Sequence, residues 1–550
     1  MKKIYPLLFL SLLFLASCDL DREPETILTD NGFWQSETDL KGATIRLYNL
    51  LDGFHHDTRS DELVKTSSDN ISNGSRLVPN TSDDWSAPYK AIFTANNIIK
   101  KAPQANVDEA TLNRYIAEAK FFRAYNYFLL VKKYGDVPLM LNVITSTDDP
   151  LIQTPRSPRE DVIQQCYKDL DYAALWLPRI SDMPDEDWGR ASHSAALALK
   201  ERIGLYEGTY IKYHNLQSDY KSHLKIAIDA AEEIINENEH ALYPDWQKLF
   251  TFDGEGRQNK ENIFVKIYGP DGAGTVTHGN SRQMENSVSV TRRIVDQFLY
   301  SDGLPENKSP LHMEHESSFD DVFQNRDPRL GTTLYQIGEE AYKGPYIPFT
   351  NQHGYGYSLK KGFMIEEWET NSKETVDKML IRYAEVLISY AEALYEYNGS
   401  ITDEQLDLTV NALRQRAGFN IRLTNAFVTA NGLNMRDEIR RERTVEFVDE
   451  GFRYDDIIRW KIAEDVLPAN IIGAKFVDEE TTVHRQDIAN RLTDAEGNLD
   501  GAFRYNEPDM YVIEKAENRQ FDPSKDYLYP IPQQEIILTK NAITQNPGWE

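Results

Sequence analysis

Residues of chemically useful types occur along the chain, but none has the spacing of a known catalytic motif. The sequence contains no GxSxG, HExxH, Gly-x4-Gly-Lys-[Ser/Thr] or CxxC, the signatures of serine hydrolases, zinc peptidases, P-loop enzymes and thiol redox sites. The run from His312 to Glu316 (HMEHE) and the triplet His55-His56-Asp57 both lack the i, i+4 spacing that places two imidazoles on one helical face. We therefore expect no catalytic residue, no metal ligands and no cofactor.

Adjacent carboxylates are a second kind of candidate. Asp83-Asp84, Asp455-Asp456 and Glu366-Glu367 have the side chains that glycoside hydrolases use as general acid and base. However, such doublets arise freely in a chain with 88 Asp and Glu residues. They keep a carboxylate-dependent extracellular glycosidase or peptidase open as an alternative, without favouring it.

The segment Ile439–Trp460 carries the densest charge in the chain. Its alternating Arg and Glu residues near Trp460 suit an acid–base site with an aromatic platform. They equally suit a structural network, in which the charged side chains pair with one another while Phe447 and Phe452 fill the core. We favour the structural interpretation.

Composition excludes several classes of protein. The chain of 550 residues has 60 Lys and Arg against 88 Asp and Glu, for a formal charge of −28, and only 2 Cys. Without a block of Lys or Arg, so acidic a chain is repelled by phosphate backbones, which argues against nucleic-acid binding. Two cysteines cannot form a disulfide scaffold. An aromatic content of 11% leaves many rings for packing or for ligand contact.

The first eighteen residues have the pattern of an export signal. Lys2 and Lys3 precede an apolar stretch that is too short to span a bilayer. The following Leu15-Ala16-Ser17-Cys18 resembles the lipobox of bacterial lipoproteins. This resemblance implies that residues 1–17 are removed and that Cys18 is lipidated and anchors the protein in a membrane. The acidic residues that follow predict a flexible tether over 18–37.

Helical periodicity dominates the remaining chain. Apolar residues recur at helical spacing in Glu109–Tyr134, Ala191–Tyr213 and Met379–Tyr397. We predict further helices over 88–102, 158–177, 220–236, 403–417 and 435–450. Helix pairs rich in Ala and Tyr resemble tetratricopeptide hairpins, although the strict 34-residue signature is absent. The predicted fold is therefore mainly α, with a tetratricopeptide-like scaffold and few short strands.

The stretch 252–375 is rich in Gly, Asn, Ser, Tyr and Pro and has no sustained helical period. A segment of this length and composition predicts a functional insertion on a helical scaffold. We therefore expect one body over 38–550, with an N-terminal helical part at 38–250, a loop-rich ligand-binding insertion at 251–375 and a C-terminal part at 376–550.

Several sequence blocks together resemble one known family. They are the lipobox start, Asp84-Trp85-x3-Tyr89-x2-Ile92-x3-Asn96, AEAKFFRAYNYFLLVKKYGDVPL (117–139), LIRYAEVLISYAEALYEYNG (380–399), ERTVEFVDEGFRYDDIIRW (442–460), YLYPIPQQEI (527–536) and ITQNPGW (543–549). In this order they are similar to the SusD/RagB family, and they cover nearly the whole chain after residue 17.

The resemblance implies a non-catalytic lipoprotein on the surface of the bacterial outer membrane. Members of this family capture oligosaccharides or polysaccharides and deliver them to a SusC-like TonB-dependent transporter, which they close like a lid. The same fold bound to peptides or to another nutrient is the alternative, because aromatic loops suit both kinds of ligand.

Candidate ligand-binding residues follow from the chemistry of sugars, which stack on aromatic rings and hydrogen-bond to Arg, Asn, Asp and His. The family's ligand residues vary, so none can be transferred by motif. We expect ligand contacts from nine residues of the predicted loops: His55, Arg59, Trp85, Tyr268, Asn280, Arg282, Tyr355, Tyr357 and Trp368.

Overall fold

The computed structural model describes residues 32–65, 68–270, 275–350, 356–482 and 510–550. Its N-terminal part contains six helices: α1 Glu37–Tyr48, α2 Asp83–Lys101, α3 Glu109–Tyr134, α4 Arg159–Trp176, α5 His193–His214 and α6 Tyr220–Glu237. At the starts of α1, α3 and α5, the side chains of Ser36, Asp108 and Ser192 accept hydrogen bonds from backbone N–H groups. Trp34 is buried, so the packed body begins before residue 38, the predicted start.

Consecutive helices pack as hairpins, α3 against α4 and α5 against α6. Gly204 and Gly208 let α5 and α6 approach closely. A Cβ at Gly204 would lie 2.7 Å from the His223 carbonyl oxygen, and one at Gly208 would lie 2.7 Å from the Leu224 side chain. The predicted helical-hairpin scaffold is confirmed. Within the described ranges, no helix is both long and apolar enough to cross a membrane.

The later helices are mostly shorter. They are α7 Asn280–Ser287, α8 Arg292–Val295, α9 Pro328–Thr333, α10 Ile365–Glu369, α11 Tyr383–Asn398, α12 Asp403–Leu408, α13 Val410–Arg416, α14 Asn425–Ala430, α15 Met435–Glu446, α16 Arg453–Arg459, α17 Ala463–Val466 and α18 Gln533–Leu538. Short 3-10 turns connect several of them, including Lys248–Phe250 and Phe319–Phe323.

The strands are few and short, as predicted. They are β1 Leu63–Val64, β2 Asn262–Lys266, β3 Gly269–Pro270, β4 Thr275–Val276, β5 Ser289–Val290, β6 Glu340–Ala341, β7 Gly344–Pro345, β8 Tyr357–Ser358, β9 Lys378–Arg382, β10 Ile471–Lys475 and β11 Met510–Glu514. β1, β5 and β8 form one sheet, and the pairs β2–β9, β3–β4, β6–β7 and β10–β11 form four more, all of them antiparallel.

Two helix predictions were wrong in detail. The start of Met379–Tyr397 is the strand β9, because residues 378–382 pair with β2, and the helix begins only at Tyr383. The predicted helix 403–417 is broken at Thr409, whose φ of −116° and ψ of −93° are not helical. In both cases the apolar spacing continues through the break, so periodicity alone cannot detect it.

The described residues form two hydrophobic clusters. The scaffold core is built from α1 to α6, α11 and the later helices, and its members include Phe121, Tyr127 and Leu387. The insertion core is built mainly from residues 284–359, with side chains from β10 and β11, and it includes Phe319 and Tyr335.

Buried ion pairs connect the C-terminal helices to the insertion and to β9. We call these residues the ionic network: Glu261, Arg329, Arg382, Arg414, Arg416, Glu442, Glu446 and Glu450. Arg382 Nη1 lies 2.7 Å from Glu446 Oε1, and Arg329 Nη1 lies 2.5 Å from Glu442 Oε1. The structural interpretation of Ile439–Trp460 is thereby confirmed, and Trp460 itself is buried with its indole N–H donating to Glu392.

Candidate functional site

A cavity of about 510 Å³ lies where the three parts of the chain meet. The loop 52–59, the end of α3 and the middle of α5 form its N-terminal walls, and β9 with residues 449–459 forms the opposite side. Seven aromatic side chains line it: Phe54, Tyr125, Phe128, Tyr206, Phe250, Phe452 and Tyr529. Apolar rings with a few polar groups between them are typical of a small-molecule pocket.

Phe54 is a half-buried ring in the loop that lines the cavity. Its centroid lies 4.3 Å from that of His278 and 5.9 Å from that of Tyr268. Two lysines hold the backbone before it: Lys378 Nζ donates to the Gly53 carbonyl at 2.7 Å, and Lys266 Nζ donates to that of Leu51 at 2.6 Å. The ring is therefore held in place before a ligand arrives.

Tyr206 lines the cavity from α5 with a hydroxyl that makes no hydrogen bond within the described part of the chain. The side chain is buried, and a buried hydroxyl without a partner costs about 1–3 kcal/mol. The hydroxyl oxygen itself is not exposed to the cavity, so the ring, not the hydroxyl, contributes to the lining.

Basic and acidic side chains also line the cavity, and most of them are paired. Arg59 binds Asp57 through Nε at 2.8 Å and Nη2 at 2.7 Å, and its Nη1 donates to the Tyr529 hydroxyl at 2.9 Å. Arg202 pairs with Glu385 at 2.5 Å. These ion pairs hold the guanidinium groups of Arg59 and Arg202 in fixed orientations. The two groups therefore act as directed hydrogen-bond donors and not as unpaired positive charges.

Carboxylates from two of the acidic doublets reach the cavity. Asp84 pairs with Lys133 at 2.5 Å, and Asp455 pairs with Lys132. Each is tied to a lysine. Asp377 differs from them, because burial raises the pKa of its carboxyl group to about 6, and within the described part of the chain that carboxyl group accepts one hydrogen bond, from the Tyr268 amide at 2.8 Å. Near neutral pH this carboxyl group can therefore change protonation state.

His56 connects the loop 52–59 to the C-terminal part. Its Nδ1 lies 2.8 Å from Asp449 Oδ1 and 3.0 Å from Oδ2. Burial acts to lower the pKa of His56, but the Asp449 carboxylate outweighs burial, so the pKa lies above its ordinary value. The imidazolium form therefore stabilises this wall of the cavity.

Three of the nine residues predicted from sequence line the cavity: His55, Arg59 and Asn280. Tyr268 lies behind Phe54 and packs against it. Tyr355 falls outside the described residues. For these residues, ligand contact stays a prediction.

The other four predicted residues lie away from the cavity. Trp85 is in the scaffold core, with its ring 5.0 Å from that of Tyr134, and Tyr357 is fully buried in the insertion core. Arg282 stacks on Trp368 at 3.8 Å, and the Trp368 indole donates to Glu285 at 2.6 Å. Trp85 and Tyr357 are buried, and Arg282 and Trp368 are half-buried outside the cavity lining; ligand contact by these four residues stays a prediction.

Sequence reasoning missed Phe54, Tyr206 and Lys378, which the structure brings together at the cavity. Phe54 directly precedes the candidate His55, and an aromatic residue next to this polar loop could have been predicted from the sequence to contact a ligand. Tyr206 follows the helical period of α5 and is indistinguishable from a core residue by spacing alone.

Comparison with known proteins identifies the family. The profile of the SusD family matches residues 247–549, which is more than half of the chain. The chain belongs to the SusD family. A second profile, described as "Starch-binding associating with outer membrane", matches residues 46–205. The SusD family therefore accounts for the C-terminal half, and this second profile for much of the N-terminal half.

Relatives of similar length agree with this assignment. SusD-like protein P2 of Formosa agariphila is 25% identical, with all of both chains aligned. A SusD-like protein of Bacteroides ovatus is 24% identical over 98% of this chain and 96% of its own.

Solved structures share the fold. A SusD-like carbohydrate-binding protein from Bacteroides fragilis has a TM-score of 0.72 and 25% identity, covering 93% of this chain and 99% of its own. A laminarin-binding SusD-like protein has a TM-score of 0.63 and 20% identity, covering 94% of this chain and all of its own.

Proposed function

We propose that this SusD-family protein is a non-catalytic glycan-binding protein of the outer-membrane surface, and that it delivers oligosaccharides to a SusC-like TonB-dependent transporter. The observation that carries the proposal is the cavity, in which half-buried rings lie beside polar and charged side chains. Two relatives of the same fold are described as carbohydrate-binding and laminarin-binding.

The chemistry of the cavity suits a sugar. Phe54, Phe250 and Phe452 are half-buried rings that can stack against the C–H faces of a pyranose. The Asn280 amide and the Arg59 guanidinium offer hydrogen bonds to its hydroxyl groups. A volume of about 510 Å³ lies within the range of pockets for small ligands, about 300–1,000 Å³.

Lipid attachment at Cys18 would place this cavity at the membrane. The lipobox-like sequence precedes the described residues, and the profile that matches residues 46–205 names association with the outer membrane. We propose that residues 18 to about 33 form the tether, since Trp34 is already packed into the body. Replacing Cys18 by Ala should release the protein from the membrane fraction, and unchanged attachment would count against lipidation.

The function is tested by screening the purified full chain in detergent against a glycan library, with calorimetry on each hit. We expect saturable binding of at least one oligosaccharide, a thermal shift with the same ligand and no change in ligand length on prolonged incubation. If the protein binds only peptides, the glycan proposal fails and the alternative ligand, a peptide, takes its place. Release of shorter sugars would contradict the non-catalytic assignment.

Delivery to a transporter needs its own experiment. We expect a large β-barrel protein to co-purify with the full chain from native membranes, with more recovered when the bound glycan is present. If the protein purifies alone under every detergent condition that preserves glycan binding, the transporter part of the proposal fails while glycan binding stands.

A further inference from the structure

His278 and Glu374 face each other across a short antiparallel bridge beside the cavity. The His278 amide donates to the Glu374 carbonyl at 3.0 Å, and the Glu374 amide donates back to the His278 carbonyl at 3.2 Å. Residues paired in this way project their side chains to the same side. The His278 Nδ1 atom lies 3.6 Å from Glu374 Oε2.

The hydrogen bonds of His278 fix which ring nitrogen carries the proton. Nε2 lies 2.9 Å from the Val376 carbonyl oxygen, so Nε2–H is the donor. Nδ1 accepts the Asn280 amide at 3.2 Å and therefore carries no proton, and a metal ion bound to Nδ1 would replace this hydrogen bond. In this tautomer the ring is neutral and does not form an imidazolium pair with Glu374.

Glu367 completes the group from α10. Its Oε2 accepts the amides of Thr375 at 2.5 Å and Val376 at 3.2 Å, which fixes the carboxylate against the segment that carries Glu374. One ligand atom from each of His278, Glu367 and Glu374 lies within 4.8 Å of the others. Two atoms bound to one tetrahedral metal at about 2.0–2.2 Å lie about 3.3–3.6 Å apart, so the three side chains must move slightly closer together to bind one ion.

The local charge is not balanced by protein cations. Glu255, Glu367, Glu374 and Asp377 lie close together, and among the residues that the structure describes no Lys or Arg nitrogen lies within 4.0 Å of any of these carboxylates. Glu367 and Glu374 are almost fully buried. Buried carboxylates are ordinarily paired with a cation or bound to a metal, and backbone amides supply only partial charge.

We propose that His278, Glu367 and Glu374 bind a divalent metal ion, with Zn²⁺ as the ion that one imidazole and two carboxylates favour. The Val376 carbonyl orients the imidazole, and the Thr375 and Val376 amides orient Glu367, as outer-shell partners of metal ligands do. The ion would tie residues 278–280 to residues 367–377, and so hold Asn280 and Asp377 in the cavity wall.

A second His–Glu–Glu group, on the scaffold, provides the matched control. His193 Nε2 lies 3.0 Å from Glu237 and 3.6 Å from Glu233. There, however, Glu237 already pairs with Arg179 at 2.6 Å, and Glu233 is exposed. We expect this group to form ordinary ion pairs, not a metal site.

The test is zinc binding by the full chain, stripped with a chelator and equilibrated with Zn²⁺. We expect about one zinc per chain by elemental analysis and a rise in the melting temperature with added Zn²⁺. His278→Gln and Glu367→Gln should each weaken zinc binding by about tenfold or more, whereas His193→Gln should bind zinc like the unmodified chain.

The unmodified chain gives an independent readout if the variants fold poorly. Co²⁺ in place of Zn²⁺ should produce visible absorption that one equivalent of Zn²⁺ removes. Absence of both this absorption and the zinc-dependent melting shift would overturn the proposal. Zinc that persists in His278→Gln and disappears in His193→Gln would overturn it equally. None of these readouts depends on a glycan, so the proposed function can fail or stand separately.

Discussion

The scaffold core and the insertion core are built from different kinds of secondary structure. The scaffold core rests on helices of 12 to 26 residues, whereas the insertion core rests on two-residue strands, short turns and a cluster of tyrosines: Tyr335, Tyr342, Tyr346 and Tyr357. Helices create a buried face from neighbours three and four residues apart, while the insertion depends on contacts between distant residues. The cavity lies where the two kinds of structure meet.

The ionic network pairs Arg329 of the insertion with Glu442 and Glu446 of α15, and we expect its loss to have the largest effect. Glu446 is fully buried, and although burial alone would raise the pKa of this carboxyl group, Arg416, Arg382 and Arg329 lower it to about 2. In Glu446→Ala, the three buried guanidinium groups each lose one carboxylate partner. We expect a loss of about 3–5 kcal/mol in the free energy of unfolding, measured by chemical denaturation.

The matched control for this change is Asp407→Ala, which breaks the exposed pair with Arg422. Exposed pairs contribute little because water screens them. Equal destabilisation by the two substitutions would mean that the buried network does not join the regions as proposed.

Replacing one aromatic residue by alanine in each core should show whether the scaffold core and the insertion core unfold locally and independently of each other. Phe319→Ala removes a buried ring from the insertion core, and Phe121→Ala removes one from the scaffold core. Each should cost about 3–5 kcal/mol. By hydrogen exchange, we expect Phe319→Ala to raise exchange within 284–359 while α3 to α6 stay protected. Uniform loss of protection would contradict two separable cores.

The contrast explains which parts of the fold the sequence could predict. Tyr115, Ala119 and Phe122 repeat at helical spacing, and the resulting helix Glu109–Tyr134 was predicted with its bounds. The insertion core has no such local signal, since Ser289 pairs with Ser358 across 69 residues. The same holds for the cavity. His55, Arg59 and Asn280 could be selected by residue type, but their meeting with Tyr206 and Lys378 is set by tertiary packing.

Raising the pH should weaken the contact between His56 and Asp449, which connects the loop 52–59 to the C-terminal part. Because the folded-state pKa of His56 is raised by Asp449, its stabilisation is fully present below the ordinary histidine pKa of about 6.5. It is lost as the pH rises through the folded-state value. We expect the difference in melting temperature between the unmodified chain and His56→Gln to shrink from pH 6 to pH 9. A difference that is constant over this range would exclude the charged pair.

The smallest expected change in stability is that of Tyr206→Phe. Removal of a buried hydroxyl without a partner among the described residues should leave the melting temperature unchanged or slightly higher. Glycan affinity should change by less than about twofold, because this hydroxyl is not exposed to the cavity. Lower stability would show that this hydroxyl makes a hydrogen bond that stabilises the fold, and a fall in affinity of about fivefold or more would show that a ligand reaches it.

Calorimetric titration of Phe54→Ala with a glycan that binds the unmodified chain tests the central claim most directly. If the cavity is the binding site, loss of the stacking ring should weaken affinity by about fivefold or more, while Trp368→Ala, at a residue outside the cavity lining, should bind normally. Normal binding by Phe54→Ala together with loss of binding by Trp368→Ala would contradict the account and move the site to the insertion surface.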